Sequence, residues 1–384
     1  LGSPEQGIKT HYFTSDYARI KQIKRCIMRV VTVILVFVIS IYVFSATLFA
    51  QGESLEETLQ QLSEDAAMQY VSPISSAFGS DLNGGWFHKV PKPVMVGFNV
   101  EIGVVAMGTF FPDASKSFSV NGRFRFSEPE ARQLVSGQGF PSLVEDELVD
   151  QITSKYFTVG ISGATVTGAE DDHIIVSFPG ETFTVSSTNY AVPSQDVDLG
   201  IGGFQDLADL SFLPLAAPQL SVGTVYGTQA TLRYLPSLTL NDELGKLKYF
   251  GFGIQHNPGI WMSNPWPVDI ALSFFTQDLK IGDLFKTKAT AFGLNVCKQF
   301  GPSMLNVTPY AGFMFESADM EVTYTYTVVT STGTYTEDIS FKLESENKNR
   351  VILGLSLRLL TFNLNADYNL SKYDSFTVGL TFGK

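Results

Sequence analysis

The sequence predicts an all-β fold, a transmembrane antiparallel β-barrel with an N-terminal helical plug segment, and three observations carry that prediction. The first is the stretch from Arg350 to Lys384. Val351, Leu353, Leu355, Leu357 and Leu359 alternate with residues that include Ser356 and Arg358. Phe362, Leu364, Ala366, Tyr368 and Leu370 repeat the pattern against Asn363, Asn365, Asp367 and Asn369, and Phe376, Val378, Leu380 and Phe382 repeat it again. A period of two sends alternate side chains to opposite faces of a strand, and about nine residues suit a tilted strand crossing a bilayer. The second observation is composition. Only 17% of residues are charged, while Phe 31, Tyr 15 and Gly 33 are abundant; ordinary soluble domains carry roughly 25% charge. Thirdly, the apolar parity of these strands and of residues 94–111 carries no Asp, Glu, Lys or Arg. A lipid-facing charge at mid-membrane costs about 2–4 kcal/mol, whereas the polar parity here suits a wet or plugged lumen.

In chain order, Leu1–Ile27 shows no structural pattern and reads as an upstream segment. Met28 and Arg29 open an apolar run, Val30–Ala50, that reads as a secretory signal peptide cut after Ala50. A transmembrane anchor is the competing reading. Removing residues 1–50, which hold six basic and two acidic residues, leaves 20 basic against 36 acidic. That balance excludes a general nucleic-acid binder. Ser54-Leu55-Glu56-Glu57 is a capping box, and Leu55, Leu59, Leu62 and Ala66 follow at helical spacing until Pro73 and Gly79 interrupt. The turn-rich link Asn83-Gly84-Gly85-Trp86-Phe87-His88 comes next, and Asn83, Trp86, Phe87 and His88 are the candidate plug residues within a plug segment spanning 51–93.

Strands are predicted at 94–111 and 117–126, read as a hairpin, with one more inside 152–187. The irregular stretch 127–216 reads as a large insert. Hairpins return at 218–226, 228–236, 247–256, 267–277, 286–298, 305–315, 320–329 and 334–344, and with the last three strands the count is about fourteen, within a range of 12 to 16. An even count agrees with single-chain bacterial barrels. The trace puts 237–246, 278–285, 316–319, 345–349 and 371–375 outside, and 226–227, 257–266, 299–304, 330–333 and 360–361 on the periplasmic side. Trp261, Trp266, Tyr310, Tyr324, Tyr326, Tyr335 and Tyr373 are girdle candidates, and the strand at 375–382 is expected to close the barrel on the strand at 94–111.

Chemistry is sparse. His88, His173 and His256 lack metal-ligand spacing, and Asp171-Asp172-His173 reads as an exposed turn. Gly160-Ile161-Ser162-Gly163-Ala164 departs from a nucleophile elbow at Ala164. Cys297 has no basic partner nearby in sequence, and no Walker or dinucleotide loop is present. The expectation is a non-enzyme without cofactor or metal.

The order of parts resembles a little-characterised family of bacterial outer-membrane β-barrels, more distantly similar to the FadL-like transporters of hydrophobic compounds. The residues behind this are Ser54–Tyr70, the 83–88 link, Phe98–Phe111, Leu232-Arg233-Tyr234-Leu235-Pro236, and Tyr249-Phe250-Gly251-Phe252-Gly253-Ile254-Gln255-His256. The resemblance implies an outer-membrane location, a lipid bilayer and the barrel-assembly machinery as partners, and a small hydrophobic ligand. Two classes stay open: a transporter or channel gated by residues 52–93, and a structural or interaction barrel acting through its insert and external loops.

Overall fold

The computed structural model describes Leu59 and residues 62–204, 212–241, 245–263 and 266–383. The upstream segment, the signal peptide and the capping box lie outside the described residues. Among the described residues, ten strands close into an antiparallel ring. They are β1 (Val96–Phe110), β8 (Phe212–Val225), β9 (Thr228–Asn241), β10 (Gly245–His256), β11 (Asp269–Ile281), β12 (Phe285–Cys297), β13 (Leu305–Thr330), β15 (Asn349–Leu359), β16 (Phe362–Leu370) and β17 (Ser375–Gly383). Neighbours in this order pair, and β17 returns to β1, with Ile102 opposite Phe382 and Val104 opposite Leu380. The barrel therefore closes where the alternation requires.

The ring holds ten strands rather than fourteen, for three physical reasons. Segments 305–315 and 320–329 are one 26-residue strand, β13, because alternation runs unbroken through 316–319. Beyond Val322, where its pairing with β12 ends, it runs out of the ring, and its residues 319–330 pair with β14 (Gly333–Glu344), so β14 is not a wall strand and 330–333 is the tip of that hairpin. Finally, β2 (Ser117–Phe124) does not pair with β1. It joins β3 (Phe157–Ala164), β4 (Ile175–Phe178) and β7 (Gln195–Asp198) in a separate sheet ordered β2-β3-β4-β7.

That sheet belongs to the insert, which starts after Phe110 and ends before Phe212. It carries two helices, α2 (Glu128–Val135) and α3 (Ser142–Thr153), and the hairpin of β5 (Glu181–Val185) and β6 (Thr188–Val192). Ser127 and Glu130 form a capping box at the start of α2. Phe124, Phe126, Phe157 and Phe178 pack edge to face beneath the sheet. Arg123 and Arg125 stack on Tyr156, each 4.5 Å from its ring centre. The insert and the β13–β14 hairpin both stand at the ring end opposite the tight turns 226–227 and 360–361.

Glu64–Asn83 forms the helix α1, which runs through both Pro73 and Gly79 instead of being interrupted there. Proline cannot donate to the carbonyl four residues back, and here the Ser72 hydroxyl donates to Gln69 O at 3.1 Å, occupying the carbonyl that Pro73 leaves. Gly79 admits the wall: a Cβ there would stand 2.7 Å from Ala318 Cβ.

Wall side chains sort by parity. Phe252, Phe274, Phe292, Phe313, Leu353 and Leu364 face outward and are exposed, while Gln219, Thr231, Gln277, Asn295, Asn365 and Thr377 face inward and are buried. Leu380 and Ile102 continue the outer belt across the closing seam. Gly103 is required at that seam, because a Cβ would sit 2.1 Å from the Leu380 carbonyl oxygen and 2.6 Å from Thr381 Cα. Gly103→Ala should therefore cost about 1–3 kcal/mol or more, as overpacking does. The check is the share of refolded protein that migrates faster unheated than boiled; an unchanged share and unfolding midpoint would contradict the tight seam.

Candidate functional site: the filled lumen

Ten strands about 4.8 Å apart and tilted about 40° close into a ring roughly 20 Å across. A helix with its side chains is about 10–12 Å thick, so one helix fills such a ring. α1 does this. It is buried on all sides from Ala66 onward apart from a few part-exposed positions, and its packing face is built from small residues, Ala66, Ala67, Ala77, Gly79 and Ser80. The chain then continues through a series of bends from Gly84, with Gly85 left-handed at φ 67°, toward the tight-turn end, where Tyr226 and Gly227 donate their N–H groups to Met95 O and Val94 O. Residues 64–93 thus thread the ring from the insert end to the turn end.

The four candidate plug residues come together inside it: Asn83, Trp86, Phe87 and His88 are each at most 5% exposed. Trp86 has the most elaborate seat. Gly251 and Gly253 form its floor, since a Cβ at either would approach the indole to 2.8 or 3.0 Å. Phe275 stacks on it at 5.1 Å and the Arg233 guanidinium lies 4.1 Å from its ring. Its Nε1–H reaches both Gln277 Oε1, at 2.9 Å, and Leu82 O, at 3.0 Å. Gln277 in turn donates to Asn83 Oδ1 at 2.8 Å. The alternating aromatic and glycine pattern of Tyr249–Gly253 is thereby explained: aromatics such as Phe250 and Phe252 face out, and glycines make room within.

Phe87 packs edge to face on Tyr310 at 5.7 Å, and the backbone N–H of Val90 donates to Cys297 Sγ at 3.3 Å. Trp86, Phe87 and Val90 together cover an apolar patch of wall made by Ala271, Phe275, Ala291, Met314 and Ile352. These residues lie on β11, β12, β13 and β15, so one side of the lumen carries a continuous apolar track. A second apolar stretch of wall, with Val105, Met107, Leu215, Leu279 and Ala318 buried on it, packs with α1 nearer the insert end.

Three buried charged groups fasten the segment to that wall at different heights. Near the insert end Arg350 pairs with Glu316, Nε to Oε2 at 3.0 Å, and donates to Ser80 O at 2.8 Å. At mid-height Arg233 donates to Gly84 O at 3.0 Å and Gln219 Oε1 at 2.9 Å. At the turn end Glu101 meets Lys89, His88 and Arg358. Asp81 on α1 also accepts from Thr109 Oγ1 at 2.6 Å. Sequence reading did not single out Arg233, Arg350, Glu316 or Glu101. For Glu101 and Arg233 the signal was there, since each is the one charged residue of its strand, β1 or β9.

Other expectations resolve differently. Trp261 and Trp266 are exposed at the turn end, where a girdle belongs. Tyr335 is exposed on β14, outside the ring. Tyr310 instead points into the lumen and donates to Asp367 at 2.8 Å. Tyr324 and Tyr326 reach inward from the β13 extension, to Leu62 O and Arg125 O, and Tyr373 is buried. Their parity turns them away from the outer face. His173 lies 3.0 Å from Asp198, and that hydrogen bond holds the Asp198 carboxyl below the usual range. His256 sits 2.9 Å from Thr228 Oγ1, and Ser162 is an ordinary residue of β3 opposite Ser119.

Comparison with solved structures returns outer-membrane proteins. A loop-deletion form of OmpT, an outer membrane protein of Vibrio cholerae, is 12% identical, with 75% of this chain and 99% of that chain covered and a TM-score of 0.22. The outer membrane channel DcaP of Acinetobacter baumannii is 8% identical over 75% of this chain and 97% of its own, with a TM-score of 0.17. A bacterial polysaccharide outer membrane secretin is 9% identical over 74% and 97%, with a TM-score of 0.22. Scores this low carry no argument, and the architecture rests on the strand pairing above. No curated protein matches the chain. A model of the family of unknown function DUF6588 matches residues 27–384, and the chain belongs to that family.

Proposed function

We propose that this protein is an outer-membrane β-barrel, closed at rest by its own residues 64–93, that passes small hydrophobic molecules when that segment gives way. The membrane part of the reading is supported by the closed ring, which satisfies every spanning backbone without an edge, and by an outer face free, among the described residues, of Asp, Glu, Lys and Arg on β1, β8, β9, β15, β16 and β17. Aromatics gather at the insert end, where Phe110, Phe212, Phe376 and Tyr368 pack together, and at the turn end, where Phe362 meets Phe382. Both sets lie where interfacial girdles form. The short turns would then be periplasmic and the insert external.

The observation that carries the transport reading is the apolar track under Trp86, Phe87 and Val90. Small barrels fill their interiors with wall side chains alone. Here a separate segment covers an apolar stripe and is fastened by polar anchors, an arrangement that conceals a path rather than abolishing it. The FadL-like resemblance points to the same cargo class. Reconstituted wild-type protein is expected to be silent in planar bilayers, and protein lacking residues 64–93 is expected to conduct and to admit a small hydrophobic fluorophore into vesicles. A silent deletion variant that still shows heat-dependent gel migration would rule out the gated path.

A second reading has its own observation. The insert has a phenylalanine core of its own and leaves Leu143 85% exposed, so it can serve as a surface for a partner. Loss of partner recovery on removing residues 128–204, with conductance behaviour unchanged, would favour it.

A further inference from the structure

The ring's outward charges are not spread around it. On β1, β8, β9, β15, β16 and β17 the outward parity holds no Asp, Glu, Lys or Arg among the described residues. All of the outward charge lies on β10–β13, at the insert end. There Lys248, Lys280 and Lys286 stand directly opposite one another on three successive strands. Like charges at such positions, with Cβ atoms about 4.5–5.5 Å apart, repel. Lys280 is partly offset by Asp283 at 2.8 Å and Lys286 by Glu321 at 3.4 Å, both on exposed atoms, while Lys248 makes no ion pair among the described residues. Asp278 and Asp319 lie one outward row below, opposite Lys288.

The lysines edge a built depression. Opposite Lys248, β9 bulges at Pro236 and Ser237, so that Leu247 pairs with Leu238 but Tyr249 with Leu235. The bulge opens a pocket of about 440 Å³ lined by the three lysines, Asp278, and the exposed rings of Tyr234 and Phe250. Phe250 sits two residues below Lys248, and Phe252 and Ile254 continue the apolar surface downward. Cations therefore stand over an aromatic and aliphatic slope that runs into the belt.

We propose that this sector holds one phosphorylated glycolipid of the outer leaflet, its phosphate between Lys248, Lys280 and Lys286 and its acyl chains along Tyr234, Phe250 and Phe252. An anion relieves the repulsion of the lysine row, and the slope offers the chains a surface at the depth where they would lie. The proposal rests on the outer-membrane reading with the insert external, because the row then faces the outer leaflet.

The test is native mass spectrometry of detergent-purified full-length protein with bisphosphorylated lipid A, phosphatidylglycerol or inorganic phosphate as probes. The wild type should retain lipid A adducts, and K248A/K280A/K286A should lose them at least tenfold. A control carrying K342A/K348A/K372A should keep them. Equal lipid A retention by the two triple variants overturns the site, and so does equal retention of phosphatidylglycerol or capture of inorganic phosphate alone by the wild type. Each variant is also run unheated and boiled. Absence of a heat-dependent shift in the wild type removes the barrel reading itself, whereas a preserved shift with unaltered lipid A binding removes only this proposal.

Discussion

Arg350→Met should lower the stability of the refolded protein by about 3–5 kcal/mol, because it leaves Glu316 buried without its counter-charge. The two side chains are 0% and 1% exposed, and the guanidinium also binds Ser80 O on α1. The cost comes from the abandoned carboxylate more than from the lost bond. The double variant R350M/E316L should therefore recover most of the loss, since apolar replacement of a whole buried pair is often neutral. Urea unfolding in lipid vesicles, followed by tryptophan fluorescence, measures both. A single variant within about 1 kcal/mol of wild type, or a double variant no better than the single, would show that the pair is not the anchor its burial implies.

Trp86→Ala should have the second large effect, on stability and on leak together. Truncating a buried tryptophan costs about 3–5 kcal/mol. Here the loss includes the stack on Phe275, the Arg233 contact, and the bonds to Gln277 and Leu82. The vacated space lies over Gly251 and Gly253, which have no side chains with which to fill it. Single-channel recording should then show brief openings absent from the wild type. Trp86→Phe, which keeps an aromatic body without the Nε1–H donor, should fall between the two. Silence from Trp86→Ala at an unfolding midpoint equal to wild type would detach Trp86 from any closing role.

The closing strands were legible because their partners are local. Residues 349–383 are two successive hairpins, with tight links at 360–361 and 371–374, and the period of two specifies each face without reference to anything distant. β13 was read as two strands, 305–315 and 320–329, with 316–319 as an external link that holds Glu316 and Asp319. The structure spends Glu316 on Arg350 inside and keeps Asp319 and Glu321 outside, so alternation survives. The sheet of the insert was illegible for another reason: Phe118, Val120 and Phe124 alternate as wall strands do, and only their non-local partner, β3, tells them apart. Asn83, Trp86, Phe87 and His88 could be named because aromatics in a glycine-rich link need a cover. Their partners Arg233 and Gln277 could not, because alternation gives the direction of a side chain and not its height within the ring.

The closing seam has a consequence for the order of folding. β1 follows the lumen segment directly, yet its partner β17 is the last strand of the ring. The hoop can shut only after every intervening strand has been laid down, and contacts so distant in sequence form slowly. Residues 64–93 must be in place while the seam is still open, or else be drawn through a finished hoop past Arg350, Arg233 and Glu101. The first route is the simpler one. On it the wall is wound around its own filling, and the inward charges act as registration points that align each arriving strand with the core it encloses.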